Sequence, residues 1–350
     1  MQIGIDSFVE TTLDPTTGTT ISPAERVRDL LEEIGLADQV GLDVFGIGEH
    51  HRKEFVASAP AVLLAAAAAR TSRIRLASAV SVLSSDDPVR VFQDFATVDL
   101  ISQGRAEIIV GRGSFIESYP LFGLDLNDYD SLFTEKLDLI LNIRDNTYVH
   151  WSGNHRAALT GQGVFPRPVQ NPLPVWIGVG GTPKSFARAG SLGLPLAVAI
   201  IGGEPHRFRQ LVELYREAGA RAGHPPEKLT VAVHSPGFVA DTTAQAADDL
   251  FPAYAQTFTQ IGKERGWPPV TRAQFDAARN ATGALLVGDP ERIAEKILYE
   301  NKVLGGVSRI TILLTAGTLP HNKVMHAIEL LGTRVAPLIK KALAETAVGA

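Results

Sequence analysis

Glu49, His50 and His51 follow the apolar run Val44-Phe45-Gly46-Ile47 and Gly48. One carboxylate and two imidazoles thus stand where a buried strand meets solvent. Three readings are open: a metal site, an acid/base set, or a solvated turn. Adjacent side chains of a strand point to opposite faces, so His50 and His51 share an ion only if the chain turns there. A metal site in a barrel gathers ligands from several strand ends, and no other strand end offers a histidine. The expectation is therefore no metal. An acid/base or ligand-orienting role is favoured, because imidazole titrates near neutrality.

A second group carries different chemistry. Gly180-Gly181-Thr182-Pro183 ends a strand and starts a helix, with Ser185 in the first turn. Two residues without side chains expose backbone N–H groups, and a helix N-terminus favours an anion. Read alone, the pair is equally a tight turn. Arg112, flanked by Gly111 and Gly113, ends the strand before. Alone it is a surface cation. Beside a helix N-terminus, a guanidinium suits a phosphate. Together these residues point to a phosphate-bearing ligand.

The elements that must position these groups alternate along the chain. Strands are expected at Gln2 to Phe8, Val44 to Ile47, Ile74 to Val82, Ala106 to Val110, Pro174 to Val179, Leu194 to Ile201, Leu229 to Val239 and Val307 to Leu314. The last is expected to end near Thr315. Ser22-Pro23, Asp87-Pro88, Thr182-Pro183 and Asp289-Pro290 each read as a helix cap followed by proline in the first turn. Eight strands, each followed by a helix, suggest an α/β (β/α)8 TIM barrel; a doubly wound sheet would alternate too. One domain spanning 1–350 is expected, with insertions near 147–173 and 241–285. In a barrel, function sits at the C-terminal strand ends.

Composition narrows the class. Cysteine is absent, which removes disulfides and thiolate chemistry. Net charge is −5 with no basic run, so no nucleic-acid surface is expected. The longest apolar run, Ala59 to Ala69, is shorter than the ~20 residues of a membrane span. No signal peptide is read at the N-terminus, and a cytoplasmic location is expected. The helix from Pro60 is apolar all round, which suggests burial on two sides, against the barrel and against a second copy.

The chain resembles the bacterial luciferase-like flavin-dependent monooxygenase family. The likeness is carried by GLDVFGIGEHH (41–51), SVLSSDDPVRVFQDFATVDLISQGRAEIIVGRG (81–113), PVQNPLPVWIGVGGTPKSFARAGSLGLPL (168–196) and VGDPERIAEKI (287–297). It implies a barrel, usually dimeric, that holds reduced FMN (FMNH2) over the strand ends and uses O2. Arg112, Gly180, Gly181, Thr182 and Ser185 would hold the flavin phosphate. Ser78-Ala79 matches a non-proline cis bond under the flavin ring. His50 would lie at the reacting flavin edge and transfer protons, with Glu49 or His51 orienting it. Gly111 stands where luciferase carries a reactive cysteine, which would alter the oxygen-side pocket, and Gly180 stands where it carries an acid, which argues against light emission or a luciferase-like substrate.

The expected function is an FMNH2-dependent monooxygenase. It acts on a small apolar or aromatic molecule, with flavin reduced by a separate reductase. A deazaflavin-dependent oxidoreductase on the same fold and a non-catalytic flavin-binding protein are the alternatives. The segments Ser114 to Asp130 and Asp241 to Gly283 are candidate walls or lids; the aromatics of the second are equally core of an extra helical layer.

Overall fold

Alternating inward and outward side chains explain how these strands close. The structure is a computed structural model and describes residues 1–14, 17–264, 266–314 and 317–348, without the side chains of 347 and 348. Eight strands form the barrel: β1 Gln2–Ser7, β2 Val44–Ile47, β3 Arg75–Ser78, β4 Ala106–Gly111, β5 Val175–Val179, β6 Leu196–Ala199, β7 Val231–Val239 and β8 Arg309–Leu313. Each is parallel to its neighbour, and β8 pairs with β1. The fold is a closed (β/α)8 barrel. The expected end of β8 at Thr315 lies outside the described residues.

Helices α1 Pro23–Gln39, α2 Pro60–Ala68 and α3 Pro88–Ser102 cover the first strands. Ser22 caps α1 by accepting from the N–H of Glu25, and Asp87 caps α3 by accepting from Val89 and Arg90. Outward residues such as Ile5, Phe45, Leu76 and Ile108 pack beneath the helices. Burying a side chain of this size contributes about 1.5–3 kcal/mol.

Inward residues fill the barrel in layers. At the N-terminal end, Arg309 donates two hydrogen bonds to Glu107 at 2.6 and 3.1 Å, and lies 4.6 Å from the Trp176 ring centroid. Arg75 pairs with the same carboxylate, and Arg309 also reaches Gln2. Glu107 sits below its usual carboxylate range: burial pushes it up, but the Arg309 and Arg75 charges outweigh it. Above this plug lie Val44, Ala77, Ile109, Trp176 and Ala232. Polar groups then reappear at the C-terminal end.

Two excursions interrupt the alternation. Tyr148–Trp151 and Leu159–Gly163 form an antiparallel hairpin. Between β7 and β8 lie two further helices, Thr243–Glu264 and Arg272–Ala278. Phe251, Tyr254, Phe258 and Phe275 pack on one another at 4.3 to 5.3 Å. These aromatics are the core of an added layer, whereas Trp267 is exposed. Among the described residues no helix is long and apolar enough to cross a membrane.

Candidate active site

The third strand breaks after Ser78. The peptide Ala79-Val80 is cis, one residue later than the expected Ser78-Ala79 bond. Ser78 itself is fully buried. Its hydroxyl donates to the Ile109 carbonyl at 3.1 Å and accepts from the Ile109 N–H at 3.0 Å. It therefore fastens β3 to β4 inside the wall. Beyond the break, Ala79 and Val80 fill space that glycines leave on the neighbouring strands. A Cβ on Gly46 would lie 2.8 Å from that of Ala79; one on Gly111 or Gly178 would lie 2.7 Å from a Val80 methyl. Gly111 is thus a seat for Val80.

The Glu49-His50-His51 stretch turns as it leaves β2. Glu49 accepts from the Val82 N–H at 2.8 Å and pairs with His51 Nε2 at 2.8 Å. It orients His51, not His50, which corrects one arrangement expected from the sequence. His51 also contacts Phe122, ring centroids 5.2 Å apart. His50 lies against Phe8 at 4.6 Å, Phe55 at 4.4 Å and Phe115 at 5.3 Å. Its Nε2 is buried without a hydrogen-bond partner. Burial, helped by the charges of His51 and Arg52, lowers its pKa to about 3. At neutral pH the ring is uncharged, and a bare Nε2 can accept a hydrogen bond.

Sequence reasoning missed a second histidine here. His234 lies within β7, two residues after the inward Ala232, so alternation points it into the barrel. Its Nδ1 is 2.5 Å from Asp6 Oδ2 at the top of β1. Its ring is nearly parallel to Phe8, at 5.9 Å. Its Nε2 is also buried and without a partner. The sequence reading covered strand ends, where no other histidine stands; His234 lies within the strand, and parity along β7 points it inward.

The anion-binding group also assembles. β4 and β5 are neighbours, and Arg112 Nη2 lies 3.3 Å from Ser185 Oγ in the first turn of the helix Pro183–Ser191. Gly181 has φ +143°, a conformation that favours glycine, and a Cβ on Gly180 or Gly181 would meet nothing within 4 Å. Thr182 occupies the N-cap position, but its hydroxyl makes no capping bond. Two residues add to the expected set. Asp130 Oδ1 accepts from Arg112 Nη1 at 2.6 Å. Arg188 is held below its ordinary pKa, first by burial and then by the Arg112 charge. Arg112, paired with one exposed carboxylate, thus stands beside exposed backbone with a second guanidinium, Arg188 over the Phe133 ring, near enough to feel its charge, an arrangement suited to a dianion.

Arg52 ties the surrounding walls together. It bonds Glu117 at 2.9 Å and Glu264 at 2.5 and 2.8 Å, and lies 4.6 Å from the Phe115 ring centroid. Glu117 belongs to the segment after β4, and Glu264 ends the long inserted helix. Among the described residues no group of three or more His, Asp or Glu is arranged to hold a metal ion.

Residues 1–307 match the family described as luciferase-like monooxygenase. The 4-hydroxyprotoasukamycin monooxygenase of Streptomyces nodosus subsp. asukaensis is 26% identical over 296 residues, covering 79% of this chain and 77% of its own. Monooxygenase RslO1 from Streptomyces bottropensis superposes with a TM-score of 0.84 at 22% identity, over 96% of this chain and 99% of its own. The oxygenating constituent of 3,6-diketocamphane monooxygenase from Pseudomonas putida, solved with FMN, gives 0.78 at 20%, over 97% and 98%. An F420-dependent secondary alcohol dehydrogenase gives 0.76 at 18%, over 97% and 98%. At these identities the structures show a shared fold. With the match to the family over most of its length, the chain belongs to the luciferase-like monooxygenases.

Proposed function

We propose that the protein is a flavin-dependent monooxygenase that uses reduced FMN and O2 to oxidise a small apolar or aromatic molecule. The observation that carries this reading is the convergence of Arg112, Ser185 and the open Gly180-Gly181 turn at one rim, together with two imidazoles whose buried Nε2 atoms have no partner among the described residues. Arg112, Arg188, Gly180, Gly181, Thr182 and Ser185 would hold the phosphate. Ala79 and Val80 would underlie the ring system, and Ser78 would fix that wall. When bound, the flavin supplies the electrons that activate oxygen.

The chain's own residues supply the surroundings. His50 is neutral and enclosed by Phe8, Phe55 and Phe115, so its bare Nε2 can accept a hydrogen bond at the flavin edge in a site shielded from water. Glu49 and His51 hold the turn that carries it. We found no second dinucleotide-binding motif in the sequence, so a separate reductase would deliver the reduced flavin. A homodimer through α2 and α3 fits the exposure of Val62 (68%), Leu100 (44%) and Ile101 (45%) on those helices.

The test is anaerobic titration with FMNH2 and with reduced F420, followed by admission of oxygen in the presence of a substrate panel. Tight FMNH2 binding and oxygenated product support the reading. Preference for F420, with hydride transfer and no oxygen consumption, would establish the deazaflavin alternative. Flavin binding with every electron pair lost to hydrogen peroxide would leave a flavin-binding protein.

A further inference from the structure

We propose that Asp6 and His234 form a dyad that accepts the proton of a substrate hydroxyl, so that the substrate is a phenol or enol on an otherwise apolar body. The proposal rests on the monooxygenase reading for its reaction but not for its geometry. Asp6 is 4% exposed and its Oδ2 lies 2.5 Å from His234 Nδ1. A carboxylate accepts hydrogen bonds, so it fixes the imidazole with Nδ1–H toward Asp6 and the lone pair on Nε2.

That lone pair is buried and meets no donor among the described residues. A buried acceptor left unsatisfied costs about 1–3 kcal/mol, so a ligand that brings a donor is favoured there. The surroundings choose the ligand's body. Phe8 lies nearly parallel to the His234 ring and also touches His50 and Phe55, while Phe115 closes on the His50 side. An apolar, ring-shaped molecule with one hydroxyl satisfies both the wall and the nitrogen.

The step conserves atoms and charge. The substrate O–H bond breaks, an N–H bond forms at His234 Nε2, and the electron pair stays on oxygen. The Asp6 carboxylate stabilises the imidazolium that results. No electrons leave the substrate in this step. An ionised phenol or enol is richer in electrons at carbon, the form that an electrophilic oxygen donor attacks. His234 would be a catalytic residue, and Asp6 a positioning residue acting through it.

The experiment uses the full chain and 4-nitrophenol as a probe, because its phenolate absorbs where the phenol does not. Difference spectra are taken at a fixed pH where the free probe is mostly protonated, with and without FMN. The wild type is expected to raise the phenolate-to-phenol ratio of bound probe about 10-fold or more, the effect of one favourable charge partner. His234→Gln should abolish the rise. Asp6→Asn should reduce it while leaving FMN affinity within a factor of two or so, and it serves if His234→Gln does not fold. Equal phenolate signals in wild type and a folded variant would overturn the proposal, as would failure of the probe to bind. Loss of FMN affinity in His234→Gln with the probe signal intact would reassign the nitrogen to the cofactor. Failure of FMN binding alone, with the phenolate signal preserved, would count against the flavin reading and not against the dyad.

Discussion

Arg112→Ala tests the phosphate site, and Asp130 makes the test quantitative. A charge-assisted hydrogen bond contributes ~1.5–3 kcal/mol, or roughly 10- to 150-fold in affinity at ~1.4 kcal/mol per decade. Asp130, whose carboxylate rests on the guanidinium at 2.6 Å, opposes the phosphate in wild type and variant alike. Because Asp130 is largely exposed, a water-like dielectric applies. At a separation of roughly 6 Å it repels each phosphate charge by about 0.7 kcal/mol before screening by salt. A phosphate near −2 doubles this to about 1.4 kcal/mol, or about tenfold in affinity. Arg112→Ala should therefore weaken FMN by about 10- to 150-fold. Asp130→Asn added to it should recover up to about tenfold of that loss at low salt, and Asp130→Asn alone should bind FMN as well as wild type or better. Riboflavin lacks the phosphate and should respond little to any of the three. Fluorescence quenching titrations of both ligands provide the readout. Equal losses for FMN and riboflavin in a folded protein, or no relief from Asp130→Asn, would refute the argument.

The remaining predictions use other parts of the site. His50→Asn should keep FMN affinity but lower the coupled oxygenation rate by about 10²–10⁴-fold, with hydrogen peroxide released instead, measured in single turnovers. The same substitution should change the pH dependence of stability. His50 titrates near 6.5 when unfolded and about 3 when folded, so its contribution is present above 6.5 and declines as pH falls from there toward 3. Denaturant unfolding at pH 4.5 to 6 should show the slope reduced by up to about 1.4 kcal/mol per pH unit in the variant. Arg52→Ala should free the end of the inserted helix from the strand-two turn; limited proteolysis near Glu264 should speed up while α1 to α3 stay protected. Val62→Glu places a charge in the proposed dimer face, and sedimentation should then show a monomer at concentrations where the wild type is paired.

Much of the barrel was legible because each strand carries its own boundary signals. Asp87-Pro88 and Asp289-Pro290 cap helices as their residue types dictate, and the β4 and β5 turns meet as strand adjacency requires. The convergence of Arg112 with Ser185 followed from that adjacency. Asp130 and Arg188 did not, because each reaches the turn from a helix whose rotation no local pattern reports. The cis bond, matched from the family likeness to Ser78-Ala79, lies one residue later at Ala79-Val80; strand three, expected unbroken from Ile74 to Val82, is interrupted after Ser78. Glu49 was expected beside His50, but adjacent side chains diverge and the i, i+2 partner His51 receives the carboxylate. His234 shows the opposite case. Its inward direction was available from the period-two pattern of β7, and it was missed because attention went to strand ends alone.

The pairing of β8 between β7 and β1 has a consequence for where this protein can be cut. The family match stops at residue 307, yet β8 begins at Arg309. A fragment drawn to the limit of the family match would lack the closing strand. It would expose two long edges, β1 and β7, whose unpaired backbone groups invite pairing with other chains. It would also leave Glu107 without Arg309, a buried charge stripped of its strongest partner. Such a fragment should aggregate or borrow the missing strand from a neighbour, whereas a chain that includes residues 309–313 closes on itself.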